Sequence, residues 1–332
     1  MTAKCRVRPS EQVFTVYVGL TASGYDMARP SLGEPLYRLI QAIRGTDWPR
    51  QVLAYFAKAR TATCKVNPYW PRAFLLTVAS LYLPESPPHR FTNPELISEH
   101  IEGLEAVSPE DKDAETARWV LELPDAYRAL KGSPGIRGLW ELYLESMDLC
   151  RFEEVAAESA SLVKARIGVL SDALPHVVVT PNPLQAPEVT DAVILGDEAF
   201  IIEAQPNIGS CVHEMLHHFL APVVDDTTQE IRQFVRLLGP VRRDMLRLRY
   251  AWDDSEESWC RVFEENLMRA AEIWVSCADD PAAIESAAAR QASFGFRYVP
   301  VLTRHFQSHW SGIDSARDFI TQCLHACNEQ HG

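Results

Sequence analysis

Two histidines and a glutamate near the middle of the chain have the spacing of a metal site. They lie in the segment Cys211-Val-His213-Glu214-Met-Leu-His217-His218. On an α-helix, His213 and His217 share one face, so both imidazoles can reach a single Zn²⁺ ion. Glu214 lies one step around that helix, where a carboxylate can take a proton from a metal-activated water and pass it to a leaving amine. The pattern therefore predicts hydrolytic zinc chemistry with Glu214 as the general base and acid.

The residues around this motif are typical of an internal helix. Apolar side chains cover its other faces, at Val212, Met215, Leu216, Phe219 and Leu220. We expect Asn207 to cap the helix and Pro222 to end it, because proline interrupts a helix interior. We expect His218 to lie outside the set of metal ligands. The alternative interpretation is a buried helix whose histidines are only hydrogen-bonded.

A catalytic zinc ion needs a third protein ligand and an open position. Leu220 and Val223 occupy the places where the metzincin pattern requires glycine and histidine, so that class is excluded. Carboxylates are the remaining candidates, namely Asp225, Asp226, Glu256, Glu257, Glu264, Glu265 and Glu272. The five glutamates share a predicted helix whose apolar stripe leaves Glu264 and Glu265 on opposite flanks. Periodicity therefore does not choose between these two.

A further motif points to a family. The segment Glu265-Asn-Leu-Met-Arg269-Ala270 resembles the E-x-L-V-R-A motif of a poorly characterised bacterial family of predicted gluzincin metallopeptidases. In that family it follows a motif similar to H-E-F-S-H after a few dozen residues, and here 47 residues separate His217 from Glu265. The family's later Gly-aromatic-x-Tyr stretch is matched by Gly295-Phe-Arg-Tyr298-Val-Pro300. The resemblance extends over residues 177–305, with Met-Leu in place of the family's Phe-Ser.

The resemblance implies a zincin-like fold, peptidase activity, zinc as the cofactor and Glu265 as the third ligand. It also implies that Arg269 orients Glu265 or clamps the substrate, whereas the alternative is an ordinary ion pair between residues four apart. Peptide hydrolysis further needs a hydrogen-bond donor to the developing oxyanion. Tyr298 and His305 are seven residues apart, so on one helix they share a face, and either could be that donor. The alternative is a packed aromatic ring and a surface histidine.

Helical patterns dominate the chain, and a cluster of strand patterns precedes the histidines. The predicted strands cover residues 177–179, 192–195 and 199–202, with the last two forming a hairpin. Residues 138–170 are predicted to form one long helix. This order of elements predicts an α+β fold that is predominantly helical, with a small sheet. We expect a mostly helical N-terminal region over residues 1–135 and a zincin-like metallopeptidase core over residues 136–332.

Composition narrows the function classes. The net charge of −13 makes nucleic acid an unlikely ligand, because a phosphate-binding surface concentrates lysine and arginine. No stretch approaches the ~20 consecutive apolar residues of a membrane helix. The eight cysteines are scattered without a CxxC pair, and the N-terminus lacks an apolar signal segment, so we expect a cytoplasmic protein.

The expected partner is a peptide or protein substrate, and the oligomeric state stays open. Two alternative functions use the same residues. One is a catalytically silent metal-binding scaffold for protein interactions. The other is a zinc hydrolase that acts on a non-peptide amide or ester.

Overall fold

A mixed sheet of four short strands divides the helices of this protein into two groups. The fold comes from a computed structural model, which describes residues 5–28, 33–61, 70–103, 113–167, 176–277, 280–310 and 316–331. The strands are β1 (Arg6–Val7), β2 (His176–Pro181), β3 (Thr190–Leu195) and β4 (Glu198–Glu203). The prediction of a predominantly helical α+β fold is confirmed.

The helices fall before and after β2–β4 in the chain. Those before are α1 (Glu11–Ala22), α2 (Glu34–Gly45), α3 (Arg50–Ala57), α4 (Pro71–Leu81), α5 (Pro94–Gly103), α6 (Ala114–Leu121), α7 (Leu123–Lys131), α8 (Ile136–Glu145) and α9 (Leu149–Ile167). Those after are α10 (Ile208–Asp226), α11 (Thr228–Arg232), α12 (Leu238–Leu248), α13 (Glu256–Ser276), α14 (Pro281–Phe294), α15 (Val299–His309) and α16 (Ala316–His331). Across the described ranges, no helix has the length and apolar character needed to cross a bilayer.

The sheet has the strand order β1-β2-β4-β3, so β3 lies at one edge. β1, β2 and β4 run parallel, and β3 pairs antiparallel with β4. The turn between β3 and β4 consists of Gly196 and Asp197, with Gly196 in the left-handed region at φ 58°. All three predicted strands and the hairpin are therefore confirmed.

Side chains alternate between the two faces of this sheet, as strand geometry requires. Val177 and Val179 of β2 face the core formed by α9, α10, α13 and α15. Val178 between them, with Phe200 of β4, packs against Val78 of α4 on the other face. The sheet thus separates a C-terminal helical core from the helices that precede it.

Several contacts cross the predicted division between residues 1–135 and 136–332, and two of them bear on where each core begins. β1 pairs in parallel with β2, which brings the beginning of the chain into the sheet. Ile136 and Tyr143 of α8 belong to the same buried cluster as α1 to α7. The N-terminal core therefore extends to α8, and the C-terminal core begins with α9.

The predicted single helix over residues 138–170 is wrong, because the chain breaks between α8 and α9. The N–H of Ser146 bonds back to the carbonyls of Leu142 and Tyr143, which closes α8. The Asp148 carboxylate accepts the N–H of Arg151 at 3.0 Å, which starts α9 as a new helix. The last predicted residues of that helix, 168–170, lie outside the described residues.

Helix α10 begins as predicted but does not end as predicted. The Asn207 side chain accepts the N–H of Ser210 at 3.0 Å, so this N-cap is confirmed. Pro222, however, lies inside the helix, which continues to Asp226. The turn beyond the proline buries Val224 in the core and is closed by the Thr227 hydroxyl, which donates to the Val223 carbonyl at 2.8 Å. Packing of this extra turn outweighs the backbone hydrogen bond that proline removes.

Pro222→Ala is expected to raise the free energy of unfolding by up to about 3 kcal/mol, because alanine restores the missing N–H donor in a helix interior. Urea denaturation followed by circular dichroism measures this. The matched control is Pro281→Ala, since Pro281 lies in the first turn of α14, where proline is well tolerated. Equal effects of the two substitutions would contradict the assignment of strain to Pro222.

Candidate metal centre

Both histidines of α10 direct the Nε2 atom of the imidazole ring toward a common position. His213 and His217 lie one turn apart on the helix, and their Nε2 atoms are 3.3 Å apart. Their side chains are only 12% and 25% exposed. The packing of α13 against α10 therefore largely fixes the orientation of the two rings.

Two carboxylates of α13 hold the other nitrogen of each ring. His213 Nδ1 lies 3.1 Å from Glu272, and His217 Nδ1 lies 3.0 Å from Glu264. The order of the pairs shows that α10 and α13 run antiparallel. A carboxylate accepts the Nδ1–H proton, which leaves the Nε2 lone pair of each ring available. At 3.3 Å the two nitrogens can share one proton in a hydrogen bond, and a metal ion can replace that proton.

Gly209 in the first turn of α10 makes room for one of these carboxylates. A Cβ atom at Gly209 would lie 3.1 Å from Glu272 Oε1 and 3.3 Å from the Asn207 side-chain oxygen. Such contacts are tighter than most real Cβ contacts, so a side chain at this position would push the Glu272 carboxylate by a few tenths of an ångström. The glycine thus contributes to the orientation of the His213 ring.

Glu265 completes a three-residue group that fits a metal ion. Its two carboxylate oxygens lie 3.8 Å from the Nε2 atoms of His213 and His217, respectively. One ligand atom from each of these three residues lies within 4.8 Å of the others. Metal–nitrogen distances of 2.0–2.1 Å in a tetrahedral zinc site place two ligand nitrogens about 3.3 Å apart. The observed separation of the histidine nitrogens fits that geometry, and two histidines with a glutamate suit a divalent metal such as zinc.

The remaining carboxylates considered from the sequence lie outside this group. Glu264 and Glu272 face the histidines from the Nδ1 side. Asp225 and Asp226 are exposed near the end of α10. Glu256 and Glu257, in the first turn of α13, pair with Arg232 of α11. The geometry thus brings Glu265, and not these others, to the two Nε2 atoms.

Arg269 lies one turn after Glu265 and contacts it directly. Its Nη2 atom is 2.6 Å from Glu265 Oε1 and donates to the Tyr250 hydroxyl at 3.1 Å. Its guanidinium carbon is 4.1 Å from the centre of the Phe296 ring. Burial favours a raised pKa for Glu265, but Arg269 and the histidines hold that pKa well below its usual range. Glu265 is therefore ionised, as a metal ligand must be.

Glu214 lies among further carboxyl groups. Burial raises its pKa, while the two neighbouring histidines lower it. Burial, together with the charge of Glu214, also raises the pKa of Asp191 to about 8 and that of Glu203 to about 8. These two groups hold protons at neutral pH, so the region around Glu214 is crowded with acids that resist ionisation together.

The two histidines, Glu265, Glu214 and Asp191 line a cavity of about 870 Å³. Residues 188–194, which include most of the edge strand β3, form one side of it. Arg249, Tyr250, Trp252, Arg261 and Arg269 line another. The N-terminal helices add an aromatic wall with Tyr17, Tyr25, Trp70 and Phe74. The candidate metal ligands therefore face a space large enough for several residues of a ligand.

The two residues expected to donate to an oxyanion lie elsewhere. Tyr298 is completely buried, and its hydroxyl donates to the Leu237 carbonyl at 2.6 Å. His305 stacks on His309 with ring centres 4.3 Å apart. Neither lines the cavity. Helical spacing predicted that they could share a face, but α15 turns its buried side onto α13 and α16 rather than toward the histidines.

Sequence reasoning missed several residues of the cavity, of which Tyr250 and Asp191 bear most on the chemistry. Tyr250 lies in the turn between α12 and α13, and no motif marks it. Asp191 lies in β3 and is only 8% exposed. An acidic residue directly before the apolar run Ala-Val-Ile-Leu of this strand was the available signal, because charged residues are rarely fully buried without a function or a partner.

Comparisons of the chain with family models, with curated proteins and with solved structures gave no match.

Glu272→Ala and Glu264→Ala are each expected to lower zinc affinity about 10- to 100-fold, because the histidine rings lose the groups that orient them. Competition with a chromophoric chelator measures the affinity. Glu257→Ala, on the exposed side of the same helix, is the matched control and should bind zinc as the wild type does. Unchanged affinity in both Glu264 and Glu272 variants would contradict a metal at the Nε2 atoms.

Proposed function

We propose that this protein is a zinc-dependent peptidase with a zincin-like core. His213, His217 and Glu265 would be the metal ligands, and Glu214 would be the general base and acid. This assignment agrees with the resemblance of the α10 and α13 motifs to gluzincins. Its strongest support is the arrangement of the two histidines, whose Nε2 atoms converge at 3.3 Å while carboxylates hold both Nδ1 atoms.

The charges around the histidines also favour a cation. Glu214, Glu264, Glu265 and Glu272 surround the two rings, and Arg269 is the cation paired with Glu265. Partly buried carboxylates at such spacing repel one another. A divalent ion between the Nε2 atoms and Glu265 offsets this repulsion. When bound, zinc lowers the pKa of water to about 7 and polarises a carbonyl oxygen.

Glu214 supplies the proton transfers in this proposal. It lies next to His213 on α10 and lines the cavity. As a carboxylate it removes a proton from the attacking water, and as an acid it delivers that proton to the nitrogen of the leaving amine. Burial raises its pKa, which favours the return of the proton to the leaving amine.

Tyr250 is a suitable donor to the oxyanion that forms on the scissile carbonyl. Its hydroxyl oxygen accepts from Arg269, so its own proton is available to donate into the cavity. The charge of Glu265 and burial raise the pKa of Tyr250 to about 12, which keeps that proton in place at neutral pH. Tyr250 therefore replaces Tyr298 and His305 as the candidate.

A peptide is the substrate class that the surroundings favour. β3 is an edge strand that lines the cavity, and an edge strand can hold an extended peptide backbone by main-chain hydrogen bonds. Ile194 of this strand is 48% exposed, so part of the edge lies open to solvent. The location we propose is the cytoplasm, because the cysteines of the described residues are free of disulfides.

Two alternatives keep the same site. A metal-binding scaffold would have no use for Glu214 beside the ligands, so stoichiometric zinc without hydrolysis of any substrate would favour it. Hydrolysis of another amide or ester would use the same groups. Comparison of a peptide library with simple acyl esters separates this second alternative from a peptidase.

Glu214→Gln is expected to bind zinc as the wild type does and to lose turnover, because glutamine cannot accept and return a proton. Elemental analysis and a peptide library read by mass spectrometry measure the two quantities. Asp226→Asn, an exposed change on the same helix, should keep both. Full peptidase activity in Glu214→Gln would rule out the proposed role of this residue.

Tyr250→Phe is expected to lower kcat about 100-fold with little change in zinc content, because one donor to the oxyanion is lost. Tyr298→Phe provides the comparison. It removes a buried hydrogen bond and should cost about 1 kcal/mol of stability while turnover stays near the wild-type value. A large loss of kcat in Tyr298→Phe, with kcat unchanged in Tyr250→Phe, would restore Tyr298 as the donor.

A further inference from the structure

An arginine at the end of α12 has an unusual backbone and faces the cavity. Arg249 is the C-cap of this helix, with φ 63° and ψ 33°, in the left-handed region. Glycine or asparagine commonly takes this position, because a larger side chain is strained there. Residues held in such conformations cluster at functional sites. Arg249 lines the cavity wall directly before Tyr250.

Arg249 differs from Arg242 and Arg247 of α12 in what it contacts. Arg242 pairs with Asp254, and Arg247 lies 3.6 Å from Asp244 and donates to the Phe294 carbonyl. Within the ranges that the structure describes, the guanidinium of Arg249 has no carboxylate partner. A partly buried cation in a cavity is costly to leave without a counter-charge, so this side chain is suited to an external anion.

A second arginine faces the same wall. The guanidinium carbon of Arg261 on α13 lies 5.0 Å from the centre of the Trp252 ring and 5.7 Å from that of Tyr250. Stacking on two aromatic rings fixes the plane of the guanidinium and adds positive charge to this wall. Arg249, Arg261, Tyr250 and Trp252 all line the cavity that contains the histidines.

We propose that Arg249 binds a carboxylate of the peptide substrate. This rests on the peptidase function proposed above. The planar fork of arginine matches the two oxygens of a carboxylate. A carboxylate also fits better than a dianionic phosphate, because Glu188, Glu214 and other acids line the same cavity and the chain carries a net charge of −13. The carboxylate is the C-terminus of the substrate or an aspartate or glutamate side chain.

Direct binding of three short probes tests this without turnover. The protein is the zinc-loaded Glu214→Gln variant of the full chain. The probes are acetyl-tetra-alanine with a free carboxylate, the same peptide as its amide, and acetyl-Ala-Ala-Asp-Ala amide. NMR titration gives each Kd. We expect at least one carboxylate probe to bind about tenfold or more tightly than the neutral amide, as hydrogen bonds between charged groups allow.

The arginine is then changed in the same background. Arg249→Asn keeps a residue that accepts the left-handed conformation, and it should abolish the preference for the carboxylate probe. Arg243→Asn is the matched control, because Arg243 lies exposed on α12 and away from the cavity. It should retain the preference. Zinc content and circular dichroism of both variants should equal those of the parent.

The preferred probe identifies the source of the carboxylate. Preference for the free C-terminus indicates removal of residues from that end of a peptide, and preference for the aspartate probe indicates an acidic side chain as the recognised group. Equal binding of all three probes, binding of none, or a preference that survives Arg249→Asn would overturn the proposal. Failure of the wild type to cleave any peptide would instead overturn the peptidase function, while the binding result still decides the role of Arg249.

Discussion

The antiparallel contact between α10 and α13 is the constraint on which the centre depends. It sets Glu264 and Glu272 against the Nδ1 atoms of the two histidines and thereby turns both Nε2 atoms toward Glu265. Neither helix has this arrangement alone, since the imidazoles could rotate freely without the carboxylates of α13. Burial of both helices in one core makes the contact rigid, because close-packed side chains leave little room for the rings to turn.

The electrostatic consequence is a concentration of negative charge that the protein tolerates at a cost. Arg269 compensates Glu265, and protons compensate Asp191 and Glu203, whose pKa values are both raised to about 8. Glu214 interacts electrostatically with Glu265, which Arg269 compensates, and with Asp191 and Glu203, which protons compensate. A cation at the histidines draws proton equilibria in its surroundings toward the ionised forms, so binding of a metal and the readiness of Glu214 to accept a proton are physically linked.

Local patterns were sufficient for some elements and insufficient for others. The four-residue spacing of His213 and His217 fixes their common face on any helix, and the strands around Gly196 follow from apolar runs and a turn signal. Which of Glu264 and Glu265 approaches the Nε2 atoms depends on how α13 is rotated relative to α10, and the periodicity of one helix does not determine that rotation. For Tyr298, the spacing predicted which helix face it occupies but not what packs against that face. The structure places the Leu237 carbonyl there rather than the candidate metal ligands. Tyr250 lies in a turn, where side-chain position depends on the packing of both flanking helices.

The helices that precede β2 complete the sheet that lies next to the candidate metal centre. They cover the face of the sheet opposite α10, where Val178 and Phe200 would otherwise be exposed, and β1 occupies the edge opposite β3. With β1 at one edge, β3 is the edge that lines the cavity, and Trp70 and Phe74 line the same cavity. The N-terminal region therefore contributes aromatic side chains to the cavity that β3 borders, even though it supplies none of the three candidate ligands.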